Sequence, residues 1–248
     1  MIPIKSEADI KSIRIAGKIL AEIFSEIKLL IKPGINTAEI DKRAEELLLK
    51  KKAIPAFRGY RDYRHTTCIS VNEEIVHGIP GRCDLEPGDI VGIDIGAIVR
   101  GYYADMAVTF AVGEISKKKK KLLIATKAAL RSAIKQAKAG NNLGDIGWAI
   151  ESSAKKAGFS VVRDLFGHGV GRELHEDPLI PNYGNQGEGI QLKPGMVFAI
   201  EPMLNIGGYE IETLADGWTI VTKDRSPSAH FEHTVLITEG KAEILTNE

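Results

Sequence analysis

The chain carries one pattern twice. LEPGDIVGID, starting at Leu85, returns as LKPGMVFAIE at Leu192, and KPGINTAEID from Lys32 resembles KAGNNLGDIG from Lys138, at offsets of 107 and 106 residues. Each copy reads helix, helix, strands. Repeats of roughly 20–50 residues stack into solenoids, whereas a unit this long, present twice, predicts two related halves packed together. No linker, low-complexity segment or shift in composition divides them. The simplest architecture is a single α/β domain over 1–248, with an internal duplication at about 1–112 and 113–248 and a pseudo-two-fold axis between the halves. The repeat maps Asp94 onto Glu201, so an acid stands at the same place in both halves, as a site on that axis would require.

Asp94 belongs to the stretch GIDIGAIVRGYYADMAVTF, Gly92 to Phe110, which reads as two β-rich strands folded back around Val99-Arg100-Gly101. A loop at Val99-Arg100 sets Asp94 directly opposite Asp105, and a loop at Arg100-Gly101 makes them diagonal neighbours. Both leave the two acids on one face, because side chains alternate with period two. Like charges facing each other across strands are destabilising. Two carboxylates on an otherwise apolar hairpin are therefore a solvated pair, sharers of a proton, or ligands of a shared cation.

Around this hairpin the periodicity predicts an amphipathic helix of about seven turns. It opens at Ser6 and Asp9, carries Ile10, Ile13, Gly17, Leu20, Phe24, Ile27 and Ile31 on one face, and stops at Pro33-Gly34. A second helix starts at Asn36 and Glu39 and runs to about Lys52. The residues from Ala53 to Arg64 read as loop. Short strands follow at 67–71 and 75–77, then a turn over 78–82. Further helices span about 116–139 and 142–156, and strands and loops take the rest. Lysine plus arginine equals aspartate plus glutamate at 33 each, which argues against a general nucleic-acid or membrane-surface binder. No apolar run approaches the roughly 20 residues of a membrane span, and the N-terminus lacks the h-region of a signal peptide. Cys68 and Cys83 are too few for a disulfide framework. The expectation is a reduced, cytoplasmic protein without membrane or DNA partners.

Glu201, in the apolar stretch VFAIEPM, repeats the setting of Asp94. Glu232 precedes the strand-like HTVLIT, and His168 lies between glycines in FGHGVG. Each alone reads as a strand-end carboxylate or a satisfied core histidine. Together they are harder to dismiss, since buried carboxylates are costly unless paired or bound to metal. Four acids and a neutral imidazole make a ligand set for two divalent ions, whose charge the acids balance. Oxygen-rich ligation with no thiolate nearby disfavours structural zinc and suits Mn or Fe, or Co and catalytic Zn. Such a pair polarises a carbonyl and holds a hydroxide at neutral pH, which is machinery for hydrolysing an amide or a phosphate ester. The glycines around His168 do not form a G-x-x-x-x-G-K-[ST] loop, and no G-x-S-x-G, C-x-x-C or H-E-x-x-H occurs.

The ordered set Asp94, Asp105, His168, Glu201 and Glu232, with steps of 11, 63, 33 and 31, resembles the metal-ligand set of the type I methionine aminopeptidases. The similarity spans nearly the whole chain. It includes SVNEEIVHGIP, FGHGVGRELHEDP, FAIEPM and GWTIVTKDRSPSAHFEHTVLIT, while Leu165 and Leu174 stand where members often carry aromatic residues. The resemblance implies a pita-bread fold, two pseudo-symmetric halves with an antiparallel sheet core and helices outside. It implies a dinuclear centre in which Asp94 binds one ion, Asp105 and Glu232 bridge, and His168 and Glu201 bind the other. Glu201 would also accept a proton from the nucleophilic water. His77 would contact the scissile region and pass a proton to the leaving amine, and His175 would steady the tetrahedral oxyanion. By motif position, Phe57, Tyr60, Tyr63, Cys68 and Trp218 are candidates for a methionine pocket, where sulfur–aromatic contact favours a thioether. His65, His230 and His233 lack such support and read as surface or supporting groups.

The implied activity is removal of the initiator methionine from nascent chains, as a monomer, when the second residue is small; with Ile2 in that place, this chain is expected to keep Met1. The rivals are a Xaa-Pro aminopeptidase of the same fold, which usually carries an additional N-terminal domain, and a non-catalytic binding protein, which typically loses the ligands. Five consecutive lysines, Lys117 to Lys121, read as a solvated helix face or as a transient foothold on ribosomal RNA.

Overall fold

The structure, a computed structural model, describes residues 2–81 and 83–247. Met1, Arg82 and Glu248 lie outside it, and with them the expectation about Met1 and the end of the turn over 78–82. Four helices form where the periodicity places them: α1 (Glu7–Ile27), α2 (Thr37–Lys50), α3 (Lys117–Gln136) and α4 (Leu143–Ala157). Ser6 and Asp9 close a reciprocal capping box at the start of α1, at 3.3 and 2.9 Å. The boxes of α2 (Asn36, Glu39) and α4 (Asn142, Asp145) repeat at the offset seen in the sequence. Helix α1 ends earlier than its apolar spacing suggests, tightening into a 3-10 turn over Lys28–Leu30; such turns are frequent at helix C-termini.

Fifteen short strands make up the remainder. They are β1 (Ile54–Pro55), β2 (Thr67–Val71), β3 (Glu74–Val76), β4 (Ile90–Val99), β5 (Tyr102–Ala111), β6 (Ser160–Val161), β7 (Phe166–Gly169), β8 (Glu176–Pro181), β9 (Val197–Ile200), β10 (Met203–Asn205), β11 (Ile211–Thr213), β12 (Ile220–Thr222), β13 (Ser228–His230), β14 (Glu232–Leu236) and β15 (Glu243–Ile244). The segment 53–64, expected to be loop, contributes β1 as an edge beside β4 and a 3-10 turn at Tyr60–Asp62.

A nine-stranded sheet runs β1-β4-β5-β14-β9-β7-β8, with β2 also on β4 and β15 on β14. Its pairings are antiparallel. β5 and β14 meet at its centre, flanked by the repeat-related strands β4 and β9. The backbone repeats the relation: Gly34 N–H donates to Leu85 O as Gly140 N–H does to Leu192 O, and the bridge Asn36–Asp84 has its counterpart in Asn142–Gln191. Asp94 to Asp105 is 11 residues and Glu201 to Glu232 is 31; the additional residues build β10 to β13.

Alternation divides the two faces of this sheet. Val91, Ile93, Ile95 and Ala97 of β4, with Tyr102, Ala104 and Met106 of β5, pack under α1 and α2. Phe198, Ile200 and Val235 pack under α3 and α4. The residues between them, Asp94 and Asp105 included, therefore face away from the helices.

Candidate metal centre

The hairpin closes at Arg100-Gly101, with Val99 paired to Tyr102. Both loop residues have positive φ, 54° and 78°, the two-residue turn whose twist matches that of its strands. This excludes the Val99-Arg100 alternative and makes the acids diagonal: Asp94 lies opposite Ala107, and Asp105 opposite Gly96. Glu232 also pairs with Ala107, so Asp94 and Glu232 stand in one row across three strands, on the same side as Asp105. Thr234 holds Asp105 from β14: Asp105 N–H donates to its Oγ1 at 2.9 Å, and its hydroxyl donates to Asp105 O at 2.8 Å. Across β9, Ala199 pairs with both Thr234 and His168, which adds the imidazole to that face. Gly96 is small because Ala56 and Phe57 pack directly over it: a Cβ there would stand 2.6 and 2.8 Å from them.

The glycines around His168 follow from close packing. A Cβ on Gly167 would stand 2.5 Å from Ala199 O, and one on Gly169 would stand 2.3 Å from Asp177 O. With β7 wedged between its neighbours, the imidazole is fixed. Its Nδ1 lies 2.9 Å from Gly169 O. A carbonyl can only accept, so Nδ1 carries the proton and the Nε2 lone pair is free to ligate. That nitrogen is 3.6 Å from Glu201 Oε1, and Asp105, His168 and Glu232 offer ligand atoms within 4.8 Å of one another.

Burial dominates the electrostatics. It raises the carboxyls of Asp94, Glu201 and Glu232 well above their usual range, with repulsion from neighbouring acids adding to the effect on Asp94 and Glu232, and pushes Asp105 to about 7. It lowers His168 to about 3 and His77 and His230 to about 4. Asp94 Oδ1, Glu232 Oε1 and His230 Nε2 are buried without a hydrogen-bond partner. Acids crowded together, neutral imidazoles and orphaned lone pairs are what a cation site presents without its cation, and the donor set fits divalent metal.

A stability prediction follows for metal-free protein. The lowered imidazoles favour folding increasingly as pH rises from about 3 to 6.5, and their contribution is complete above 6.5. The raised carboxyls act oppositely: the unfolded chain sheds these protons first, so stability falls from 3.8 to about 7 for Asp105, and the raised Asp94, Glu201 and Glu232 act in the same direction. Above 6.5 only the falling contribution remains, up to about 1.4 kcal/mol per pH unit for each titrating carboxylate. Thermal unfolding of chelator-treated protein should show Tm dropping from pH 6.5 to 8, with metal removing the slope; a rising Tm would contradict the assignment of charges.

Phe57, Tyr60, Tyr63, Cys68 and Trp218 line a cavity of about 350 Å³ together with Asp94, Asp105, His168, Glu201, Glu232, His77 and His175. Tyr63 and Trp218 meet edge to face at 4.9 Å, and the Tyr63 hydroxyl lies 2.9 Å from Thr67 O and 3.2 Å from Gly78 O. His175 Nδ1 is 2.8 Å from the Tyr60 hydroxyl, and its ring stacks obliquely on His168 at 4.3 Å. Glu176 anchors this loop by accepting from Arg172 N–H at 2.7 Å and by its ion pair with Lys5. His77 adopts a left-handed φ of 59°, strain of about 1–3 kcal/mol that tends to collect at functional sites. Arg61, Val76, Leu174 and Leu179 complete the wall.

The three remaining histidines separate. His65 is at the surface side, 3.7 Å from Asp41, and His233 faces the helices and bonds Thr246 Oγ1 at 2.8 Å. For His230 the structure decides between the surface and supporting readings in favour of the latter: it is only 3% exposed, and its Nε2 lies 3.4 Å from Glu201 Oε2 and 4.0 Å from Glu232 Oε2. The motif match passed over it. Its place two residues before Glu232, which keeps it in phase with that acid, was the available signal.

A model of metallopeptidase family M24 matches residues 11–239. Methionine aminopeptidase 1 of Bacillus subtilis is 51% identical over 246 residues, covering 99% of each chain. The chain belongs to metallopeptidase family M24, among its type I methionine aminopeptidases. A crystal structure of methionine aminopeptidase from Thermotoga maritima superposes on this M24 chain with a TM-score of 0.98 at 47% identity, covering 100% of both. The prolidase from Pyrococcus furiosus shares the shape at a TM-score of 0.81, but with 28% identity, and this chain covers only 65% of it. The common fold thus leaves the Xaa-Pro rival open, while identity and coverage side with the aminopeptidases. The pita-bread architecture expected from the motifs is the one observed.

Proposed function

We propose that Asp94, Asp105, His168, Glu201 and Glu232 hold two divalent ions, Co, Mn, Fe or Zn, in a methionine aminopeptidase that acts on the N-termini of nascent proteins. The observation that carries this reading is one cavity lined by both sets of residues: the five metal-ligand candidates, and the packed cluster of Phe57, Tyr60, Tyr63, Cys68 and Trp218, in which Cys68 pairs across strands with Asp94. Bound there, the ions supply Lewis acidity that polarises the scissile carbonyl and activates water. Asp105 and Glu232, on adjoining strands, would hold the ions together with Asp94, His168 and Glu201. Glu201, placed between the imidazoles of His168 and His230, would take the proton from the attacking water as general base.

His175, set by the Tyr60 hydroxyl, donates to the developing oxyanion, and His77 delivers a proton to the departing amine. The aromatic wall accepts the methionine side chain, and the confined mouth favours a small second residue. The whole is a single catalytic domain with duplicated halves at about 1–112 and 113–248, acting as a cytoplasmic monomer. No helix among the described residues is long and apolar enough to cross a membrane.

Met-Ala-Ser and Ala-Pro peptides, assayed on metal-loaded protein, separate this reading from the prolidase-like one. Rapid release from the first alone is expected, and preferential cleavage of the second would overturn it.

The lysine run divides in the structure. Lys119 donates to Asn72 Oδ1 and Gly88 O, both at 2.7 Å, and ties α3 to the loops before β4. Lys117, Lys118, Lys120 and Lys121 are exposed, and they provide a transient contact with ribosomal RNA. Reversing these four to Glu, with Lys119 kept, should weaken low-salt ribosome association; unchanged association would return them to a solvated face.

A further inference from the structure

We infer that His230 is a sixth, nitrogen ligand of the metal centre, an inference that rests on the two-ion reading. Donors bound to one ion at about 2.0–2.2 Å stand about 3.0–3.4 Å apart at octahedral to tetrahedral angles, and farther apart when more nearly opposed. His230 Nε2 lies 3.4 Å from Glu201 Oε2 and 4.0 Å from Glu232 Oε2. Both acids belong to the ligand set, so the nitrogen sits where a fellow ligand would. The same nitrogen is buried and without a hydrogen-bond partner, so neither acid uses it as a donor. Its neutral ring presents a lone pair in the tautomer that protonates Nδ1.

The backbone is clamped as a ligand's should be. Thr109 donates its hydroxyl to His230 O at 2.7 Å and accepts His230 N–H at 2.9 Å, while β13 pairs His230 with Met203. Glu201 is thereby bracketed by two imidazoles, His168 against Oε1 and His230 against Oε2. A centre with two nitrogens among its donors shifts preference from Mn toward Fe, Co and Zn.

The test is X-ray absorption spectroscopy on intact protein loaded with Co(II) alone, with bound metal counted in the same samples. Scattering from imidazole rings should give two rings per chain in the wild type, and one in both His230→Gln and His168→Gln. Calorimetry should show His230→Gln losing at least ~100-fold in affinity for one ion, beyond what a ligand-supporting group costs, and discriminating less between Co and Mn. One ring in the wild type, with His230→Gln unchanged, would overturn the inference, and the wild-type count decides it even if a variant fails to fold. Uptake of a single ion would instead sink the two-ion reading, while the ring count at that ion still decides the role of His230.

Discussion

Replacing Glu201 by Ala is expected to lower kcat on Met-Ala-Ser by at least ~10²–10⁴-fold, the range a positioned acid–base group supplies, with the fold intact. The residue sits just after β9, with the imidazoles of His168 and His230 at 3.6 and 3.4 Å from its carboxyl oxygens. The neighbouring structure is held by others, including Phe231 N–H on Pro202 O and the β9–β14 ladder. Removing the side chain therefore removes the proposed proton acceptor and ligand and leaves these ties in place. Circular dichroism and Tm check the fold, and steady-state kinetics with measured metal content check the chemistry. Retained turnover at full metal loading would remove Glu201 from the mechanism.

Asp105→Asn is expected to move two quantities in opposite directions. In metal-free protein it should raise stability, because the wild-type carboxyl is forced up to about 7 by burial and by the charge of Glu201. Ionising it in the fold at pH 8 costs a few kcal/mol, at about 1.4 kcal/mol per pKa unit. Asn keeps the shape and can still accept Met106 N–H, a bond of 3.0 Å in the wild type. The Thr234 contacts involve only the backbone of Asp105 and persist. With metal present the sign reverses. With the proposed ligand carboxylate removed, affinity should fall by at least ~100-fold, beyond what a supporting group costs, and the metal-induced rise in Tm should vanish. Scanning calorimetry at pH 8, with and without Co(II), reads both effects. A variant less stable than wild type without metal, yet still stabilised by it, would mean that Asp105 is structural.

These expectations show where sequence and structure part. The repeat was legible because it survives in words such as EPGD and KPGM, and the paired contacts of Leu85 and Leu192 recur in space. The face shared by Asp94 and Asp105 needed only alternation. Their diagonal register needed the positive φ of Arg100, which a sequence does not display. β1 was missed because two residues carry no periodicity; Ile54 becomes strand only because Ile98 stands beside it. His230 stayed undecided between surface and supporting roles for a related reason. Its burial depends on β13 folding back beside β10, a long-range pairing invisible in a short window. The aromatic lining was named residue by residue through motif likeness, while Arg61 and Leu179 join it from outside the quoted motifs and Val76 from within SVNEEIVHGIP, where the neighbouring His77 drew the reading.

The most direct test is an anomalous-difference map from crystals soaked in Mn(II). The account predicts two peaks about 3.5–4 Å apart, enclosed by Asp94, Asp105, His168, Glu201 and Glu232. A single peak, or peaks elsewhere on the surface with those five side chains unliganded, would contradict it.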